Sequence, residues 1–376
     1  MGKIRCPRKI VWLKCQQTAM WCGLRLADRW ITVLTQEAVT SKSVLCRARN
    51  RIIVDYPMSD SSTQNTPSPQ PTKAKDDESA SKPSKASVFR ARLFSTVLMW
   101  ALVAGTFWWG HPIGYFSLVG ALAVLGCWEY FRMAKGSGIV VFTSFGLSLA
   151  IAYSVGIWWM LRSGGQGPEG IGWLDGGIAF VAILGGFSLI LMRKDKGDCA
   201  FQPVLYTLFG IFYPAVLFHF VTRILFFAPE GVVGPPVTSG AWLALWLVLV
   251  TKFTDMGAYI VGSLIGKNKL IPSVSPSKTW EGFFGALVIS QVPGIALFLM
   301  LPNQLGALHS LPVVIGLGLV IAFLAVIGDL AESVIKRSLT IKDSGHALPG
   351  IGGVLDLIDS LCFTAPIFYL YLRFFA

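Results

Sequence analysis

Apolar residues run in blocks of about twenty from residue 94 to the end of the chain, parted by short polar or glycine- and proline-containing breaks. A helix rises ~1.5 Å per residue and the hydrocarbon core of a bilayer is ~30 Å thick, so a block of this length is one crossing. Nine crossings are predicted, at 94–110, 113–131, 138–161, 171–192, 203–227, 241–265, 282–301, 309–328 and 354–375. Before residue 94 the pattern changes. Residues 1–57 hold no 18-residue apolar run, because Lys14, Gln16, Gln17, Arg25, Asp28 and Arg29 interrupt the best stretch, and they lack a convincing signal-peptide cleavage site. From Met58 the chain is polar and rich in Pro, Ser and Lys, which is the composition of disorder. Met58 is the expected natural start, with a basic arm on the membrane surface as the competing reading of residues 1–57. The expected fold is an all-α polytopic membrane protein of nine transmembrane helices, with a disordered N-terminal tail over 1–93 and one integral membrane domain over 94–376.

Composition agrees with this reading: 53% of residues are hydrophobic and the mean hydropathy is +0.61. The net charge of +12 would suggest a nucleic-acid partner, but its distribution does not. Residues 1–57 hold eleven Lys and Arg against three acids, while the region after residue 94 holds fifteen against thirteen, so no nucleic acid is expected as partner. Of the seven cysteines, Cys6, Cys15, Cys22 and Cys46 lie in the tail without metal-ligand spacing, and no disulfide framework is implied. Lys and Arg gather in the loops after even-numbered crossings (Arg132, Lys135, Arg193, Lys194, Lys196, Lys267, Lys269, Lys278, Lys336, Arg337, Lys342). The positive-inside rule then puts that side and the tail in the cytoplasm and, with nine crossings, the C-terminus outside. Trp108, Trp109, Trp128 and Tyr130 read as an interfacial belt, and His219 and His309 as isolated histidines.

Against this apolar background, residues 328–360 concentrate four Asp, one Glu, two Lys, one Arg and five Gly. Asp329, Glu332, Ser333 and Lys336 share one helical face, and Asp356 and Asp359 share a face of the next helix, after Gly352-Gly353. Ionisable groups cost ~2.5–3.5 kcal/mol within a membrane span on insertion scales, so such a cluster marks a function. Carboxylates on two helix ends joined by a basic loop could hold a divalent cation and a polyphosphate together. A second polar cluster begins in the sixth crossing with Lys252 and Asp255 and continues through Lys267 and Lys269 to Ser275, Ser277, Lys278, Thr279 and Glu281. Hydroxyls, backbone N–H groups and a Lys at the start of a helix suit a phosphate, although the spacing is not that of a Walker A loop. Taken alone, this turn reads equally well as a helix cap, and the Gly262/Gly266 pair as helix packing.

The segments SPSKTWEG at 275–282, GDLAESVIKR at 328–337 and KDSGHALPGIGGVLDLIDS at 342–360 resemble phosphatidate cytidylyltransferase, also called CDP-diacylglycerol synthase. The resemblance covers roughly 90–376, including WEYFRMA at 128–134, and the chain departs from the family signature at Ile351, where a His is expected, and at Leu357, where an Arg is expected. It implies reaction of CTP with phosphatidate to give CDP-diacylglycerol and pyrophosphate, in the cell's inner, cytoplasmic membrane with the active site facing the cytoplasm. It further implies Asp329 and Asp356 as ligands of a Mg²⁺ centre with a second cation allowed, and Glu332 and Asp359 as auxiliary ligands. Lys278, Ser275, Ser277 and Thr279 are assigned to phosphate binding, with Glu281, Ser333, Gly352 and Gly353 beside them. Lys336, Arg337 and Lys342 are assigned to the leaving group or lipid phosphate, Asp343 to orienting a Lys, and Asp255 to the polar cavity. Membrane lipids are the expected surroundings, and the resemblance is compatible with a homodimer. Three other readings compete: another CTP-dependent lipid-phosphate enzyme, a cation-coupled transporter, and a structural membrane protein.

Overall fold

The computed structural model describes residues 100–162, 168–193, 201–227, 237–341 and 353–375. Among them, eight helices are long and apolar enough to cross a membrane. They are α1 (Pro112–Gly136), α2 (Thr143–Arg162), α3 (Pro168–Met192), α4 (Gln202–Leu225), α5 (Val237–Ile265), α6 (Trp280–Met300), α7 (Leu311–Ser338) and α8 (Leu355–Phe375). The chain is thus a multi-pass, helical membrane protein. Residues 100–109 are helical as well; the rest of the expected first crossing, the tail and Met58 lie outside the described residues.

Local sequence explains where the helices begin, bend and stop. His111 caps α1, its Nδ1 accepting the Ile113 N–H at 3.2 Å, and Pro112 occupies the first turn, where no N–H is needed. Pro214 falls inside α4, and the chain accommodates it with a π-helical stretch at Phe212–Leu217. α7 runs to Ser338, ten residues past the expected end at 328, because the polar residues there lie on one helical face and leave the helix's own backbone bonding intact. It stops where Thr340 turns left-handed (φ 56°), with Thr340 N–H donating to Arg337 O and Ile341 N–H to Lys336 O, both at 3.0 Å.

The core lies where α1, α2, α4, α5 and α8 meet, and its largest fully buried side chains include Phe131, Tyr153, Ile211, Trp246 and Phe368. Tyr130 belongs to this core rather than to the expected belt: it is 2% exposed, whereas Trp108 is 94% exposed. Phe180, Leu184, Phe284 and Val288 face outward, as they do where the solvent is hydrocarbon. His219 is not an isolated histidine, and Arg223 one turn on is bonded as well. His219 is buried, with Nε2 2.8 Å from Ser154 Oγ and Nδ1 3.0 Å from Thr222 Oγ1, and Arg223 Nη2 donates to Asp175 Oδ1 at 2.6 Å and to Tyr153 Oη at 2.9 Å. These bonds tie α2, α3 and α4 together.

Between α5 and α6 lies a two-stranded antiparallel hairpin, β1 (Lys269–Ile271) and β2 (Ser275–Thr279), with Lys269 opposite Thr279 and Ile271 opposite Ser275. The sequence predicts only a turn here; a two-stranded ribbon has free edges, so Pro276 fits without a ladder bond to lose. Ser137 O–H donates to Leu339 O at 2.6 Å, so the C-terminal ends of α1 and α7 sit at the same end of the bundle.

Candidate active site

Four elements converge at that end: the last turns of α5 and α7, the start of α8, and β2. α7 brings Asp329, Glu332 and Lys336 along one face, and α8 enters at its first turn with Asp356 and Asp359. Gly328 lets the two helices touch. A Cβ there would lie 2.7 Å from Ser360 Cα and 3.0 Å from Asp359 O, contacts with backbone that cannot swing aside. The result is a group of three carboxylates, Asp329, Glu332 and Asp359, with an oxygen of each within 4.8 Å of the others. Glu332 is 3% and Asp359 4% exposed, and Glu332 Oε1 is buried without a hydrogen-bond partner.

Lysines flank the group. Lys278 Nζ of β2 stands 2.5 Å from Asp329 Oδ2, and Lys336 Nζ bridges Glu332 Oε2 at 3.0 Å and Asp356 Oδ1 at 2.7 Å. Asp356 thus stands beside Lys336, and its other oxygen accepts the Gly353 N–H at 3.1 Å, which ties the first turn of α8 back to the residues before it. Geometry therefore groups Asp359 and Glu332 with Asp329, where the resemblance pairs Asp329 with Asp356 and gives Glu332 and Asp359 auxiliary parts. Lys252 stands 3.7 Å from Asp255 Oδ2 one turn up α5. Five carboxylates against three ammonium groups leave the region two negative charges in excess when all are ionised. Burying such an excess is costly unless a cation offsets it, and oxygen ligands with an unpartnered buried oxygen suit a divalent one.

Beside this group opens a cleft of about 350 Å³ lined by Asp255, Tyr259, Ser277, Lys278, Thr279 and Asp329, among others. Ser277 is exposed to it, whereas Ser275 is buried. Thr279 caps α6, its Oγ1 accepting the Gly282 N–H at 3.1 Å, and the glycines of α5 serve packing here: a Cβ at Gly262 would lie 3.2 Å from Thr279 Oγ1. Glu281 holds the hairpin, accepting from the Lys267 and Asn268 N–H groups at 3.2 Å and from Asn268 Nδ2 at 2.7 Å. Arg337 reaches the hairpin tip, Nε donating to Val274 O at 3.4 Å. Ser333 is half-buried on α7. Lys342, Asp343 and Gly352 lie outside the described residues.

The sequence reading passed over Glu129, which the structure places at the root of α8. It is 2% exposed, its Oε2 accepts the Leu355 N–H at 2.8 Å, and a Cβ on Gly353 would lie 2.5 Å from both its oxygens. A carboxylate at a helix N-terminus meets both the free N–H groups and the positive end of the dipole. Gly353, assigned to substrate from sequence, is thus packed against Glu129. An acid inside the aromatic WEYFRMA stretch of a crossing was the available signal. Glu129→Ala is expected to cost about 1–3 kcal/mol by leaving a buried donor unpaired, read as a lowered thermal unfolding midpoint in detergent; an unchanged midpoint would show that water replaces the cap.

The profile of the cytidylyltransferase family matches residues 90–375 of the chain. A phosphatidate cytidylyltransferase of Haemophilus influenzae is 31% identical over 301 residues, covering 77% of this chain and 99% of its own length. A phosphatidate cytidylyltransferase of Staphylococcus aureus is 33% identical over 175 residues, covering 46% of this chain and 60% of its own. An uncharacterised Escherichia coli protein, YnbB, is 39% identical over 138 residues, covering 37% of this chain and 45% of its own. With a family match across three quarters of its length and a relative matched almost end to end, the chain belongs to the cytidylyltransferase family.

Proposed function

We propose that the chain transfers the cytidylyl group of CTP to phosphatidate, giving CDP-diacylglycerol and pyrophosphate for phospholipid synthesis. The observation that carries this reading is the near end-to-end similarity to a phosphatidate cytidylyltransferase in a chain whose buried carboxylates and lysines converge at one end of a membrane bundle. A phosphatidate phosphate oxygen is ionised at neutral pH and needs no general base. It attacks the α-phosphorus of CTP, the new P–O bond forms, the bond from the α-phosphorus to the bridging oxygen breaks, and pyrophosphate leaves with that electron pair. The protein supplies position and charge.

Asp329, Glu332 and Asp359 would hold a Mg²⁺ ion, with Asp356 and a second cation in reserve. When bound, such an ion offsets the charge that develops on the reacting phosphates. Lys278 and Ser277 face the cleft and bind nucleotide phosphate; the Lys278–Asp329 pair keeps the Lys in place until phosphate competes for it. Lys336 and Arg337, with Lys342, receive the pyrophosphate. By the positive-inside rule, the basic ends of α1, α5 and α7 favour a site on the cytoplasmic side of the inner membrane, where CTP is found, with the C-terminus outside. Acyl chains remain in hydrocarbon while the head group enters the cleft.

The test is transfer of radiolabel from α-labelled CTP into lipid by purified protein with Mg²⁺ and phosphatidate. Labelled CDP-diacylglycerol is expected. Label that enters lipid only with another lipid phosphate would move the substrate, and no incorporation with any acceptor would refute the activity.

A further inference from the structure

An apolar cavity of about 190 Å³ lies among residues 100–107, α1, α4, α5 and α8, separate from the polar cleft. Among the described residues that line it, Lys252 is the one charged side chain; the others include Leu118, Leu122, Ala244, Val248, Leu357 and Ile358. Along α5 the linings of the two spaces follow one another. Ala241, Leu245, Val248 and Lys252 line the apolar cavity, Asp255, Tyr259 and Gly262 line the polar cleft, and the whole series follows one stripe of the helix at alternating steps of four and three. The Lys252–Asp255 pair, 3.7 Å apart, marks the junction. From Lys252 back to Ala241 the helix rises about 16 Å, close to half of the ~30 Å hydrocarbon core, which is the reach of one leaflet's acyl chain.

We infer that this cavity takes an acyl chain of the phosphatidate substrate, and that Lys252 at its junction with the cleft binds the lipid phosphate in place of the arginine that the family signature carries at position 357. The inference rests on the proposed reaction for the identity of the lipid. Charge complementarity selects the occupant. An ammonium group at the head of an apolar slot matches an anionic head group on a hydrocarbon chain, and the cleft beyond it is where that head group must react. Leu357 lines the same cavity as Lys252, so the cation lost from α8 is regained from α5 without leaving this space. The swap also explains why Lys252, deep in a crossing, is tolerated: it is paired with Asp255 until a phosphate arrives.

Two measurements on the purified full chain test this. Phosphatidate carrying a diazirine near the end of one acyl chain should label peptides containing Leu118, Ala241 or Leu245, and unlabelled phosphatidate should compete while phosphatidylcholine should not. In the CTP-transfer assay, Lys252→Met should raise KM for phosphatidate by about tenfold with KM for CTP within about twofold, and Lys252→Met/Leu357→Arg should recover most of the loss. A Lys252 needed only for packing would not be rescued by an Arg on another helix. Labelling spread over the lipid-facing surface, equal competition by phosphatidylcholine, or failure of the double variant to recover would overturn the inference. Label in the cavity from a protein that transfers no cytidylyl group would instead leave the phosphatidate site standing and remove the reaction.

Discussion

Asp359→Asn should lower cytidylyl transfer by about a thousandfold, equivalent to about 4 kcal/mol of lost transition-state stabilisation. The expectation follows from where the residue sits. Asp359 is 4% exposed, and its oxygen lies within 4.8 Å of those of Asp329 and Glu332, so it cannot be replaced by water drawn from bulk. Asparagine keeps the shape and one acceptor oxygen but removes the charge that a divalent cation needs. The companion variant Asp356→Asn reads a different defect. Asp356 holds Lys336 at 2.7 Å and accepts the Gly353 N–H, so its loss releases a lysine and loosens the start of α8. The measurement is activity across a Mg²⁺ titration, with Mn²⁺ binding followed by electron paramagnetic resonance. Asp359→Asn should lose ion binding and activity together. Wild-type Mn²⁺ affinity in Asp359→Asn, alongside lost binding in Asp356→Asn, would shift the cation centre to Asp356.

Gly328→Ala should cost about a hundredfold in activity while leaving the protein folded. A Cβ there meets the backbone of Ser360 at 2.7 Å and of Asp359 at 3.0 Å, so α7 and α8 must part by up to about 1 Å to restore ordinary contact. They part at the position where Asp329 and Asp359 face each other across the interface. Misplacement of reacting groups by about 1 Å costs on the order of a hundredfold, and a three-carboxylate group spread over two helices has no slack to absorb it. Size-exclusion behaviour and unfolding midpoint separate this from collapse of the fold. Gly316→Ala, at a glycine on the same helix with nothing within 4 Å of an added Cβ, is the control and should leave activity unchanged. Equal activity in both variants would mean that the helix contact does not set the carboxylate geometry.

The variants separate what was readable in the chain from what was not. The crossings were readable, because in hydrocarbon every backbone N–H and C=O must be bonded within its own helix, so a run of about twenty apolar residues has only one structure open to it. The same physics made the acids and lysines at 328–360 conspicuous and put them on helix faces, since i, i+3 and i+4 neighbours meet on any helix. The identity of the family was readable for a simpler reason: its motifs are contiguous.

Partnerships between distant segments were not readable. Nothing in the spacing says that Glu129 of α1 caps α8 across 226 positions, that Lys278 reaches Asp329, or that Lys336 takes Asp356 and leaves Asp359 to the acidic group. Those choices depend on which helices touch and at what height. Here glycines decide it: Gly328 fixes α7 against α8, and Gly353 leaves room for Glu129. The sequence determined an all-helical membrane bundle with its charges at one end, because local backbone bonding and the cost of burying charge act on each segment separately. Only the tertiary structure decided which carboxylates share a site and where an apolar cavity meets it, because those depend on packing distances of a few ångströms between segments far apart in the chain.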